Sequence, residues 1–416
     1  MKAATDMRSR KYWKLSFGLA TVILFCLEAA VAQTTYTSID LGTLGGDNSY
    51  PVWITNTGDV IGYSDTGQFD SFGNPIDHGF RWSHGVMEDL KTLGGNNSLG
   101  LGGNDKGQTV GIADVTGGAT SHAVLWYKGG ITDLGTLSGP NGYSYAQLVN
   151  NEQLVVGGST TADGGSDAVL WDRGAITDLG TLASSPNPAI TSFANGINDL
   201  GQIVGGSQVT DVPNPILGFP PYHAAIWYKG AITDLGPGPE GGIGSAGYNI
   251  NNRGQAVGRF ALPDPKEGAV AHAFLWQAGV MQDLGVPAGD DNSEANSLND
   301  RGQIVGDSGV GFIESYTPDR ALVWGNGAWI DLNTLIPPDS GYYLILAADV
   351  NAGGQIVVWA VQQSTRYVHA ALLTPEPADV RGNSQRSDNA ASSAAPPLSE
   401  NARRLLGLAR RTKSAR

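Results

Sequence analysis

From residue 36 onward, apolar and polar positions alternate in short steps. In "HAFLW", 272–276, His272, Phe274 and Trp276 fall on one face of an extended segment, and Ala273 and Leu275 on the other. Both faces are apolar enough to be buried, which is the pattern of a sheet held between two others rather than one with a wet side. Such runs are brief and bounded by Gly, Asn and Asp, so they predict short strands joined by tight turns.

The runs recur in a fixed order. A first element, Asn-x-x-Gly-Gln followed by apolar residues and Gly, starts at Asn56, Asn104, Asn198, Asn251, Asn299 and Asn351, with a degraded copy, "NNEQLVVG", at Asn150. A second, His-Ala-x-Leu-Trp, ends at Trp82, Trp126, Trp171, Trp227, Trp276 and Trp324; its seventh copy, "HAALL" at His369, lacks the Trp. A third, Asp-Leu, usually before Gly, stands at Asp40, Asp89, Asp133, Asp178, Asp234, Asp283 and Asp331. Each element therefore occurs seven times.

Every repeat reads as four strands, a to d. Asn at a turn start with Gly three residues on predicts a type I turn closed by a left-handed Gly bulge between strands a and b. Trp-x-x-Gly predicts the same geometry between c and d. Repeats of about 44–55 residues with four antiparallel strands have the size of propeller blades. The last repeat lacks strand d, while "YTSIDLGTL" from Tyr36 is an orphan strand d at the start. Pairing the two closes a ring and removes its open edges. The expectation is an all-β, seven-bladed β-propeller of four-stranded blades over residues 33–377, its last blade completed by an N-terminal strand. An open β-solenoid is the alternative, and it leaves the complementary truncations unexplained.

The strings "DLGTLGG", "INNRGQAVG" and "HAFLW" resemble the HAF-repeat family of bacterial extracellular repeat proteins, over about residues 36–373. The resemblance implies export and a repeat architecture, and it brings no catalytic residue set with it. Family members often end in a Pro-Glu-Pro sorting signal, an apolar span and an Arg cluster. Pro375-Glu376-Pro377 and "LLGLARR", 405–411, are present here, and the long apolar span between them is absent.

Composition adds three points. Gly reaches 59 of 416 residues, which suits turns and disfavours helices, where each Gly costs about 1 kcal/mol relative to Ala. Residues 1–32 read as a signal peptide: a basic start, the apolar run 15–30, and Ala30-Val31-Ala32 before Gln33. The lone Cys26 lies inside that segment, so the expected mature chain has no disulfide and no stable membrane span. It is expected to act as a monomer in the periplasm, at the cell surface or outside the cell.

Charge is segregated along the chain. Residues 1–32 carry five Lys/Arg and two Asp/Glu, and 378–416 carry eight and three, leaving twelve bases, 34 acids and a net −22 in 33–377. A body of that sign repels phosphate backbones, so nucleic acid is excluded as a partner. The tail reads as disordered, ending in a short basic amphipathic helix over 399–416.

Candidate chemistry falls on one rim. The a–b and c–d turns are uniformly tight and read as structural. The b–c and d–a connections share the other rim and vary in length, the long ones being "YSDTGQFDSFGNPID" from Tyr63, "SQVTDVPNPILGFPPY" from Ser207, "RFALPDPKEGAVA" from Arg259 and "DSGVGFIESYTPD" from Asp307. Their aromatics, Phe69, Phe72, Phe219, Tyr222, Phe312 and Tyr316, are the candidate ligand-binding residues, with an extracellular glycan or protein as the ligand. Five of six histidines begin strand c, on blades spaced about 10–15 Å apart, too far to converge on one metal. They read as hydrogen-bonding positions, and the repeated Asp as an acceptor for turn N–H groups. Calcium is the one cofactor considered, at the acidic stretch "GDDNSE" from Gly289, which lacks the alternating Asp of a dedicated loop. The alternative function is a polysaccharide-directed hydrolase or lyase with funnel carboxylates from different blades; no nucleophile elbow or metalloprotease motif supports it.

Overall fold

The structure is a computed structural model that describes residues 34–118, 120–183, 190–313 and 318–376. The segment 1–32 expected to be a signal peptide, the tail 378–416 and Tyr316 lie outside the described residues. Within them the chain forms seven four-stranded antiparallel sheets, the blades of a β-propeller; the one helical element is a 3-10 turn, Leu332–Thr334. Blades 1 to 6 span 49–89, 94–133, 144–178, 192–234, 244–283 and 292–331, each with its strands in chain order. Blade 7 takes strands a to c from 342–375 and strand d from Tyr36–Asp40, paired Tyr36↔Pro375 through Asp40↔Ala371. The ring closes as the complementary truncations require.

The core lies between blades. Val110 and Ala123 of blade 2, for example, pack with Ala146, Val155, Val169 and Trp171 of blade 3. A fully buried Val or Leu contributes about 1.5–3 kcal/mol, and the period-2 pattern repeats such layers around the ring. Strand a carries a bulge in every blade. In six blades this bulge accompanies a strand-b glycine, and a Cβ there would collide with a strand-a carbonyl, at 1.9 Å for Gly205 against Phe193 and 1.8 Å for Gly306 against Glu294. That contact accounts for the Gly ending the first sequence element. Blade 7 carries Val358 instead, and its strand a has a second irregularity at Leu344–Leu346.

The a–b turns are as expected: Gly107 N–H donates to Asn104 O, Asn104 N–H to Gln108 O, and Gly107 has φ +80°. The c–d turns differ from expectation. They have two residues, both at positive φ, such as Lys128 (52°) and Gly129 (76°), the type I′ geometry whose twist matches the flanking strands. Trp-x-x-Gly did not reveal this because the residue after Trp still belongs to strand c.

Two of the four long loops are also corrected. The segment from Tyr63 is a hairpin, Val60–Phe69 with Pro75–Ser83, and that from Arg259 is another, Ala256–Asp264 with Gly268–Gln277. An Asp closes each tip. Asp70 accepts the N–H groups of Phe72 and Asn74, and Asp264 those of Lys266 and Glu267.

Candidate functional site

The repeated motifs explain themselves as fasteners. At the long-loop rim, His Nδ1 meets the Asp that ends strand d of its own blade at 2.8–3.0 Å, in His78–Asp89, His122–Asp133, His223–Asp234, His272–Asp283 and His369–Asp40. The same Asp accepts the N–H two residues on, for instance Gly42 at 2.9 Å and Gly236 at 2.7 Å. Burial alone would raise the Asp40 pKa, but bonds from His369, Gly42 and Tyr342 hold it down at about 2. Blade 3 has Asp167 in place of His; burial and the neighbouring Asp178 push it up to about 6.

A serine at the start of strand a, unremarked in the sequence, rivets neighbouring blades. Ala370, Gly79, Ala123, Ala168, Ala224 and Ala273 donate their N–H to Ser49, Ser98, Ser144, Ser192, Ser245 and Ser293 of the next blade, at 2.8–3.0 Å. Most of these hydroxyls then donate to the Gly carbonyl after Asp-Leu, as Ser49 does to Gly42 at 2.6 Å.

The structure disperses the candidate aromatics. Phe69 and Phe72 project from the blade 1 hairpin, 65% and 88% exposed. Phe219 and Phe312 pack locally against Leu217, Ala261 and Ile313. Tyr222 lies 5.3 Å from Phe193, its hydroxyl bonded to Thr191. No shared stacking platform forms among the described five.

Charge, by contrast, is concentrated. The b–c and d–a connections and the strand ends that feed them hold 24 of the described Asp/Glu and five Lys/Arg: Lys91, Arg259, Lys266, Arg320 and Arg366. The turn-rim half holds the other nine acids and seven bases. Nearly all of the excess negative charge thus sits on one rim.

At the turn rim, two belts of side chains encircle the axis. In the first, the Asn that opens six of the seven a–b turns donates Nδ2 to the carbonyl of the equivalent residue one blade on: Asn104 to Asn150, then to Asn198, Asn251, Asn299, Asn351 and Thr55, at 2.9–3.2 Å. In the second, the next residues alternate around the ring as Asn56, Asp105, Asn151, Asp199, Asn252 and Asp300. Five of these six, all but Asp300, donate their backbone N–H to the side chain one blade on, as Asn56 does to Asp105 at 2.8 Å and Asp105 to Asn151 at 3.1 Å. Seven positions cannot alternate to closure, and the break falls at Ala352.

These belts wall a funnel enclosing about 680 Å³, its open mouth included. In four blades the residue before last of strand a also lines it: Trp53, Leu148, Asn249 and Asp349. Trp53, from blade 1, packs against the apolar cluster of blades 3 and 4 that includes Leu148 and Ile197. From blade 1 it thus reaches blades 3 and 4, so the indole lies across the channel. Opposite, Asn249 donates to Ser297, Ser297 to Asp349, and Asp349 accepts Ile54 N–H at 2.9 Å. Reading the tight turns as purely structural had missed this funnel: its polar residues occupy the variable place in Asn-x-x-Gly.

The carboxylates do not gather. Asp105, Asp199 and Asp300 stand on alternate blades with Asn between them. Glu294 and Asp307 face each other within blade 6, with Arg259 bonded to Glu294 at 2.9 Å. Among the described residues no three His, Cys, Asp or Glu side chains are placed to hold a metal ion, and no helix is long and apolar enough to cross a membrane.

No family model and no curated protein matches the chain. Similar solved structures include the β-propeller domain of the Trilobed protease from Pyrococcus furiosus, at 9% identity and TM-score 0.48, covering 80% of this chain and 95% of that one. The YCF48 protein bound to D1 peptide is similar at 10% identity and TM-score 0.43, covering 83% and 98%. The SapL1 lectin in complex with alpha methyl fucoside is similar at 13% identity and TM-score 0.38, covering 70% and 98%.

Proposed function

We propose that the chain is an exported recognition scaffold whose long-loop rim binds a basic protein segment. The observation that carries this reading is the partition of charge, 24 acids and five bases on that rim against nine and seven on the other. An acidic field of this kind attracts and orients cationic partners and speeds their encounter. The blade 1 hairpin supplies an apolar anchor, since Asp70 fixes its tip and leaves Phe72 exposed. Rigid aromatic anchors are the usual centres of binding energy. Export follows from the leader segment and the resemblance to HAF-repeat proteins. Dispersed aromatics support a protein ligand over a glycan, which needs stacking surfaces close together.

The test is binding of lysine-rich and glutamate-rich peptides of equal length to the full chain across a salt series. Lysine-rich peptide alone binds, with affinity falling steeply as salt rises. Asp211→Asn, Glu240→Gln and Asp339→Asn together flatten that dependence, while Glu152→Gln and Asp172→Asn on the turn rim leave it unchanged. Equal binding of both peptides, or no response to the rim variants, would overturn the reading.

A further inference from the structure

The funnel at the turn rim lies on the opposite face from the acidic loops and has a chemistry of its own. Its floor is amphipathic. The side from blades 1 and 3 carries Trp53 and Leu148; the side from blades 5 and 7 carries Asn249 and Asp349, which Ser297 bridges. No Lys, Arg or His lines it.

The wall offers acceptors and almost no donors. Asn56 spends its Oδ1 on Ala352 N–H at 2.9 Å and its Nδ2 on Asp105 at 3.0 Å. Asn252 spends its Oδ1 on Asp199 N–H at 2.9 Å and its Nδ2 on Asp300 at 3.1 Å. Asn151 is used in the same way, between Asp105 and Asp199. The donors left over, the second N–H of the Asn56 amide and the Asp300 backbone N–H, stand beside the carboxylates of Asp105 and Asp300, which repel an anion, whereas a carboxylate has about four acceptor sites and these bonds fill only some of them. Asp105 and Asp199 each receive amides from both neighbouring blades. Asp300 receives bonds from Asn252 alone, because Ala352 has no amide to offer. The opening in the belt thus lies between blades 6 and 7, above the polar side of the floor and across the axis from the indole.

We infer that this funnel binds a small amphipathic organic cation, with its ammonium group at Asp300 in the Ala352 gap and its apolar body on Trp53. A ring face favours a cation or an apolar body, and the carboxylate-lined wall, which holds no Lys, Arg or His, favours a cationic donor. The gap alone gives the ligand a direction.

The test is calorimetric titration of the full chain with phenethylammonium, with 2-phenylethanol and phenylacetate as neutral and anionic counterparts. Phenethylammonium binds saturably at one site, at least about tenfold more tightly than the alcohol, and phenylacetate does not bind. Ala352→Asn supplies the missing amide and closes the belt. It weakens phenethylammonium by about tenfold or more while the melting temperature holds or rises, so loss of binding is not loss of fold. Asp300→Asn has the same effect on binding. Neutral and charged probes binding alike, absence of saturation, or indifference to both variants would each overturn the assignment. Cation uptake by the acidic rim is told apart by its response: it survives Ala352→Asn and is removed by the Asp211, Glu240 and Asp339 substitutions.

Discussion

The two rims of this propeller are built from the same seven repeats and are fastened to different extents. At the turn rim the side chains reach sideways. Asn104, Asn150 and their equivalents join each blade to the next, and every deviation, such as Thr55 or Ala352, opens a belt at a definable place. At the long-loop rim the strand-a serines also cross to the neighbouring blade, but the repeated His and Asp bond within one blade, and what lies beyond them varies in length, fold and composition. Where a side chain holds two blades together its identity is constrained by both. Where it holds none it is free to carry charge or an exposed ring, and this is where the acids and Phe72 accumulate.

The sharpest way to break this comparison is one asparagine on each rim. Asn198 is buried, accepts the N–H groups of Leu200 and Gln202, and donates to Gln202 Oε1 and to Asn251 O of the next blade. Asn198→Ala leaves buried donors and an acceptor unpaired and is expected to cost about 3 kcal/mol in urea unfolding. Asn74, at the exposed hairpin tip, donates one side-chain bond to Asp70. Asn74→Ala is expected to cost no more than about 0.5 kcal/mol. Similar costs at the two sites would mean that the turn rim is no more rigidly fastened than the loops.

The second test concerns acid–base linkage among the rim dyads, where signs differ between blades. Asp40 is held at about 2, so its contribution is fully present above the ordinary carboxylate value and is lost as pH falls toward 2. Asp167, raised to about 6, works the other way: stability is highest below the ordinary value and declines as pH rises through 6. Asp167→His restores the dyad of the other blades with Asp178. Because the removed Asp167 carboxyl is unfavourable only when ionised, the gain is expected to be about 1 kcal/mol larger at pH 7.5 than near pH 4, after allowance for solvent screening. Unfolding free energies at the two pH values decide it, and an equal gain at both would assign the effect to packing instead.

The architecture was legible in the sequence because three independent elements, read off as Asn-x-x-Gly, His-Ala-x-Leu-Trp and Asp-Leu, each count to seven and begin and end out of phase. The His and Asp roles as hydrogen-bonding positions were legible too, from their recurrence at strand ends. The funnel was not. Asn56, Asp105 and Asn151 look like unconstrained positions until the copies are set in a circle, when their alternation becomes a belt. Nor does a linear reading show that Ser49 or Ser192 touches the preceding blade. Phe219 and Phe312 looked exposed because a loop of Pro, Gly and aromatics does not reveal whether its rings face solvent or each other.

The smallest expected effect tests the c–d turns, which belong to the turn rim and make none of the inter-blade bonds described for the a–b turns. Lys229 sits at φ 51°, where a side chain costs of order 1 kcal/mol and glycine costs nothing sterically. Lys229→Gly relieves that strain. It also loosens the unfolded chain, which opposes folding by a similar amount, and removes the ammonium group lying 4.9 Å or less from a ring centroid, here 4.8 Å over Tyr228. The terms nearly cancel, so the unfolding free energy should move by less than about 0.5 kcal/mol. A loss near that of Asn198→Ala would show that c–d turns also fasten blades. In that case the rigidity of the turn rim would belong to the whole rim rather than to its inner belts alone.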